Sequence, residues 1–189
     1  MGTPERAGSA TLDELYEAPW KAELIDGEIV PMPPTGDAPS HAAFRIAASL
    51  DEHGRGTRSG RGVPDNAGFV VELPHRRTFS PDAAFWTGPP AGMKFFDGAP
   101  VFAVEVRSEG DYGPAAERAL ADKRADYFAA GTRVVWDVDL PDAERVVRVY
   151  RADAPRNPLT FARGDTAHAE PAVPGWTIAV DELFLEEVG

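Results

Sequence analysis

Apolar and polar residues recur with two different periods along this chain, and the changes of period mark its elements. Thr11-Leu12-Asp13-Glu14 reads as a capping box, so a short helix is predicted to start there and to end before Pro19. In KAELIDGEIVPM, Lys21 to Met32, the dipeptide Asp26-Gly27 separates two apolar-containing runs, a strong short-range hairpin signal. A two-residue turn sets Ile25 opposite Glu28 and Glu23 opposite Val30, leaving Leu24 and Ile29 on the other face. Pro31, Pro33, Pro34 and Pro39 then break the pattern into a loop. Ser40 is the expected N-cap of a helix running to about His53, with Phe44, Ala47, Ala48 and Leu50 as its apolar stripe and Gly54 as its stop.

The stretch HGRGTRSGRG, His53 to Gly62, sets Arg55, Arg58 and Arg61 among four glycines and reads as a flexible, basic loop. Strand-like runs follow at Ala67–Leu73, Thr78–Thr87 and Pro100–Arg107, the first two joined by Pro74-His75-Arg76-Arg77. Pro114–Ala130 is the clearest helix: proline suits its first turn, Gly131 its end, and Ala116, Leu120, Lys123 and Tyr127 share one face. Arg133–Asp139 and Val146–Arg151 pair as strands, Trp176–Val180 adds another, and Asp181 caps a last turn through Phe184. From Ser40 onward the order is α-β-β-β-α-β, an α/β pattern with an added N-terminal hairpin and C-terminal strands. The first ten residues read as a disordered lead-in, and 11–189 as one domain.

Charge and composition narrow the function classes. Net charge is −12 and the pI about 4.7, which is awkward for a nucleic-acid binder because phosphate contacts supply most non-specific affinity. Only a local basic patch, or a cation held between carboxylates, reconciles that balance with a polyanionic substrate. The absence of cysteine excludes disulfides and thiolate metal sites. No apolar run approaches membrane-spanning length and no signal peptide is evident, so a cytoplasmic protein without membrane attachment is expected.

Three residues carry the candidate chemistry. VFAVEVR, Val101 to Arg107, is apolar at nearly every position, so its strand is expected to be buried on both faces. Alternation puts Val101, Ala103, Glu105 and Arg107 on one face. A carboxylate in mid-strand there needs either an ion pair, with Arg107 or Lys123, or a metal. Asp82 of Ser80-Pro81-Asp82 opens a strand expected to neighbour that of Glu105, and two carboxylates on one face repel unless a cation lies between them. Pro64-Asp65 repeats the dipeptide, but without a following strand it reads as a turn. Lys123, one of only three lysines against sixteen arginines, lies on the stripe of Leu120 and Tyr127. It is either a snorkelling side chain or a compact cation for phosphoryl charge. His41, His53, His75 and His168 have no zinc-ligand spacing, and phosphate-binding, nucleophile-elbow and zinc-protease motifs are absent.

In order and spacing, Tyr16, Glu23 to Glu28, Ser80-Pro-Asp82, Ala103 to Val106 with Ser108, Asp122-Lys123, Tyr127, Gly131 and Val135-Trp-Asp-Val138 resemble the Uma-two family of restriction-endonuclease-like proteins. Val173-Pro-Gly-Trp176 and Glu182-Leu-Phe184 resemble the end of that domain, so about residues 11 to 185 are covered. The resemblance implies a PD-(D/E)xK nuclease core and Mg2+ or Mn2+ held by Asp82, Glu105 and the Val106 carbonyl, with Lys123 as catalytic cation. It implies hydrolysis of nucleic-acid phosphodiesters, DNA ahead of RNA, and leaves a homodimer open. The superfamily's usual lysine slot, two residues after the glutamate, holds Arg107, a departure from the pattern, and Arg107 is an expected accessory contact to phosphate. Glu23 matches a family glutamate, with an ordinary exposed strand position as the plain alternative. Arg55, Arg58, Arg61, Arg76 and Arg77 are the expected DNA-backbone contacts, or else solvated loop residues. The alternative function is a catalytically inactive member acting as a dimerisation or partner-binding module.

Overall fold

Thirteen short strands and three helices are described in a computed structural model, which covers residues 9–142 and 144–185. The expected lead-in therefore lies outside the described residues up to position 8, while the Ala10 N–H donates to the Gly27 carbonyl. The capping box is formed: Thr11 and Glu14 bond reciprocally at the start of α1 (Leu12–Tyr16). The hairpin of β1 (Ala22–Ile25) and β2 (Glu28–Pro31) has the expected register, Ile25 opposite Glu28 and Glu23 opposite Val30. Both turn residues, Asp26 and Gly27, have positive φ (51° and 77°), which explains why Asp-Gly sits there.

The next helix departs from its expected bounds. α2 spans Asp37–Thr57 with Gly36 as N-cap, and the Ser40 N–H already donates to the Gly36 carbonyl, so Ser40 lies inside the helix. Phe44 is 64% exposed, and the buried face is Ala42, Ala43, Ile46, Ala47 and Leu50. Gly54 does not end the helix. It is buried within it, where a Cβ would collide with the Gly60 backbone and the Phe85 ring. Chain reversal falls instead at Arg58, in the left-handed conformation at φ 57°. The supposed basic loop is thus a helix end followed directly by β3 (Arg61–Pro64).

The remaining strands are β4 (Phe69–Val70), β5 (Thr78–Phe79), β6 (Ala83–Trp86), β7 (Phe96–Asp97) and β8 (Phe102–Val106). After them come α3 (Pro114–Ala129), β9 (Val134–Val138), β10 (Val147–Arg151), β11 (Ala154–Phe161), β12 (Thr166–His168), β13 (Thr177–Ala179) and a 3-10 turn (Val180–Leu183). A mixed six-stranded sheet runs β11-β10-β9-β8-β6-β3, in which only β8 and β9 are parallel, with α3 as their crossover. Strands β5, β4 and β7 form a small separate sheet.

Two apolar layers sandwich the main sheet. On one side, Ile46 and Leu50 of α2 meet Phe85, Phe102, Val104 and Trp136. On the other, Tyr127 of α3 packs with Phe69, Phe79, Ala103 and Val135. Alternation along β8 is as expected: Phe102, Val104 and Val106 face the first layer, Ala103 the second. Glu105 therefore emerges toward α3, at the end of the sheet where β6 begins.

Candidate active site

Five segments converge on a cavity of about 600 Å³ lined by Lys21, Asp65, Asp82, Glu105 and Lys123. Asp82 precedes β6, and its N–H donates to the Val104 carbonyl, so pairing of β6 with β8 fixes its place beside Glu105. Its Oδ2 accepts the Val106 N–H at 2.8 Å. The sequence expectation that Asp82 and Glu105 meet on neighbouring strands holds, since both line this cavity.

Lys123 projects from α3 into the carboxylates. Its Nζ lies 2.9 Å from Glu105 and 3.1 Å from Glu23. Tyr127, one turn further along α3, donates its hydroxyl to Glu105 Oε1 at 2.7 Å while its ring stacks on Phe79 at 4.0 Å. Glu23 is buried, not an exposed strand residue. It accepts the Ser80 N–H at 2.8 Å through Oε1 and the Arg76 guanidinium at 2.5 Å through Oε2. Arg76 in turn donates to Asp126, which also meets His75.

The titration behaviour follows from burial and from the imbalance of charge. Burial pushes Glu105 up from 4.5 to about 7, Lys123 opposes this, and the Asp82 and Glu23 charges add to the rise. Glu23 is held below its usual value because, although burial opposes ionisation, Lys123 and Arg76 more than offset it. Lys123 is held charged well above the ordinary lysine range: burial disfavours the ammonium, but Glu105 and Glu23 outweigh it.

The sequence gives no sign of a role for Lys21, and Asp65 reads there only as part of a turn. The Lys21 ammonium bridges Asp65 at 2.5 Å and Asp82 at 3.2 Å. β3, only four residues long and containing glycine and proline, carries no strand signal in the sequence. With β3 and β6 paired antiparallel, both Pro-Asp dipeptides arrive at one end of the sheet. That pairing is the signal that could have found it.

Two of the expected phosphate contacts, Arg76 and Arg107, need correction. Arg76 is buried and committed to Glu23 and Asp126. Arg107 gives both forks of its guanidinium to carboxylates, Nε and Nη2 to Asp137 at 2.7 Å each, and Nη1 to Glu117. Arg55 pairs with Asp51, and Arg61 lies over the Phe96 ring. Arg61 starts β3 whereas Asp65 follows its far end, roughly 13 Å away at strand rise. Arg58 and Arg77 are exposed, but neither lines the cavity.

The chemistry of the donor set decides whether a divalent cation suits it. Two carboxylates, one of them raised in pKa partly by the other, form an oxygen-rich cluster that a hard cation would relieve. The Lys21 ammonium already occupies the Asp82 carboxylate as a counter-charge. Among the described residues no three or more His, Asp or Glu are grouped as metal ligands. A cation here would therefore complete its coordination with backbone carbonyl and water, as magnesium tolerates. The residues fit.

A mixed sheet with one parallel pair, a crossover helix, and acidic residues gathered where β6 and β8 meet is the architecture of a restriction-endonuclease-like protein. The chain matches the Uma2 family, described as "Putative restriction endonuclease", over residues 10–181, and belongs to it. Its fold resembles the crystal structure of "a putative nuclease belonging to DUF820 from Anabaena variabilis", with a TM-score of 0.71 at 17% identity. That match covers 92% of this chain and 97% of the other. No curated protein matches the sequence.

Proposed function

We propose that this protein is a metal-dependent endonuclease that hydrolyses nucleic-acid phosphodiester bonds, DNA ahead of RNA, in the cytoplasm. The observation that carries the reading is the Lys123 ammonium, desolvated yet held charged between Glu23 and Glu105, in the same cavity as Asp82. Asp82, Glu105 and the Val106 carbonyl would hold Mg2+ or Mn2+. Bound there, the ion would supply Lewis-acid polarisation of a phosphoryl oxygen and a lowered pKa for water.

The chain's own residues do the rest. Glu23, itself fixed by Arg76 and the Ser80 N–H, orients Lys123. Lys123 presents a positive charge to the oxygen on which negative charge develops, a contact already in place before reaction. Tyr127 donates to one oxygen of Glu105 and limits its rotation. The second reading, an inactive partner-binding module, is favoured by the internal pairing of every cation that lines the cavity and by the net charge of −12.

The experiment compares wild type, Lys123→Ala and Asp82→Asn on DNA and RNA substrates with magnesium or manganese, alongside calorimetric metal titration. Lys123→Ala should keep metal affinity and lose on the order of a hundredfold or more in turnover. Asp82→Asn should lose metal binding. If purified wild type cuts nothing that both variants leave intact, the nuclease reading fails and the partner-binding module takes its place.

A further inference from the structure

Resting on that nuclease reading, we infer that the substrate is a single strand of nucleic acid, held by its bases on aromatic side chains at the mouth of the cavity. Three hollows adjoin. The central one carries Asp82, Glu105 and Lys123 and is rimmed by Trp20, Met32, Pro33 and Pro34. A second shares Asp65, Asp82 and Thr35 with it and is walled by Phe44 and Pro39 of α2. A third shares Trp20 and Lys21 with the first and is walled by Tyr16 and Phe95. Aromatic surface thus lies on both sides of the carboxylates.

Trp20 and Phe44 are exposed outside the core, whereas Tyr16 and Phe95 stack on each other at 4.1 Å. Trp20 is 58% exposed and Phe44 64%, whereas the chain's other tryptophans are buried. Phe44 is the large apolar residue that the sequence pattern had placed on the core stripe of α2. Solvating a phenylalanine on an otherwise well-packed helix costs apolar burial, and its position beside Asp82 gives that cost a use.

Charge decides between a duplex and a single strand. Duplex binding relies on several lysines and arginines tracking two phosphate backbones. The cations lining these hollows are Lys21, Lys123 and Arg107, and each is already paired with carboxylates. What remains is π-surface, on which any unpaired base can stack, each stacked base contributing substantially to affinity. The cavity volume of about 600 Å³ lies in the range that encloses one small ligand, so it takes a nucleotide unit of an extended strand.

The chain's four tryptophans make the test direct, because Trp86, Trp136 and Trp176 are 7% exposed or less. A ligand-dependent change of emission therefore reports on Trp20. The protein is titrated with short oligothymidylate, oligouridylate and a blunt duplex of equal length, with calcium in place of magnesium to hold the site without cleavage. Single strands are expected to quench emission and the duplex to bind at least an order of magnitude more weakly. In anisotropy titrations with labelled strands, Trp20→Ala and Phe44→Ala should each weaken binding by about 5- to 150-fold, while calorimetric cation binding stays intact. Preference for the deoxy or the ribo strand fixes the sugar and supports the inference either way. Equal binding of duplex and single strand, or unchanged binding by both variants, overturns it. So does an emission change that follows protein concentration without any strand, which would make a second copy the occupant. Cation binding with cleavage of duplex by all variants sinks only this inference, whereas failure to bind any cation or nucleic acid sinks the nuclease reading too.

Discussion

Glu105 makes the energetics of the cavity measurable. Its carboxyl rises from 4.5 to about 7, chiefly through burial, so the folded protein holds a proton that the unfolded chain has lost over that interval. With a raised folded pKa on an acid, stability is fully present below about pH 4.5. It declines as pH rises and is lost once pH passes about 7. The size of the decline follows from the shift itself: roughly 3.5 kcal/mol as an upper bound, since each pH unit of difference is worth about 1.4 kcal/mol. Glu105→Gln removes this ionisation while its carbonyl can still accept the Tyr127 hydroxyl. Other groups, Glu23 among them, titrate in the opposite direction, so the quantity to read is the difference between variant and wild type. Urea unfolding from pH 4.5 to 8.5 should show the variant gaining on wild type by about 2–3 kcal/mol, most of it between pH 5 and 7.5. Saturating magnesium should weaken this dependence for wild type alone, because a cation favours the ionised carboxylate. Parallel pH curves for the two proteins would refute the claim that burial and acidic neighbours outweigh Lys123 at this position.

Two further outcomes test the surrounding network. Lys21→Met should bind magnesium or manganese several-fold more tightly than wild type, because the ammonium on Asp82 no longer competes, while the metal-free protein melts lower. Weaker cation binding in calorimetry would instead make Lys21 a support of the site. Arg107→Ala should cost about 3–5 kcal/mol in chemical denaturation, since it removes both close hydrogen bonds from the buried Asp137 carboxylate and leaves it only Arg124 and Arg148, each at 3.9 Å. A loss below about 1 kcal/mol would return Arg107 to the role of a phosphate contact.

What was legible in the sequence had local causes. Asp26-Gly27 fixes the hairpin because both residues accept positive φ, and the register then follows from the length of the turn. The alternation in Val101 to Arg107 placed Glu105 correctly because β8 is buried on both faces, and the face of α3 was set by Leu120, Lys123 and Tyr127. The failures share a different cause: each depended on a partner far along the chain. Gly54 looks like a helix stop, yet it serves as a contact point, where α2 must approach the Gly60 backbone closely. Arg76 sits in a stretch that reads as a basic loop, and its burial depends on Glu23 and Asp126, each about fifty residues away. Asp65 reaches the cavity only through the pairing of β3 with β6. Short strands held by pairing leave little trace in hydrophobic period.

In the proposed site the lysine comes from the helix rather than from the strand, and this chain gives a physical reason for that arrangement. Arg107 follows Glu105 by two residues, and the parallel register sets Glu105 beside Asp137 of β9. Asp137 is almost wholly buried, and Arg107 gives it two parallel hydrogen bonds at 2.7 Å. A lysine in that slot would offer a point charge and could not match both oxygens. The slot next to the glutamate is thus committed to holding β8 to β9, and a cation for Glu105 has to enter from another element. α3 is the crossover between those two strands, so it necessarily passes over the Glu105 end of the sheet. One turn of helix separates Lys123 from Tyr127, so the pair reaches both oxygens of Glu105 together. It follows that Arg107 cannot stand in for Lys123 when that side chain is removed, because its guanidinium is already fixed on Asp137 and Glu117.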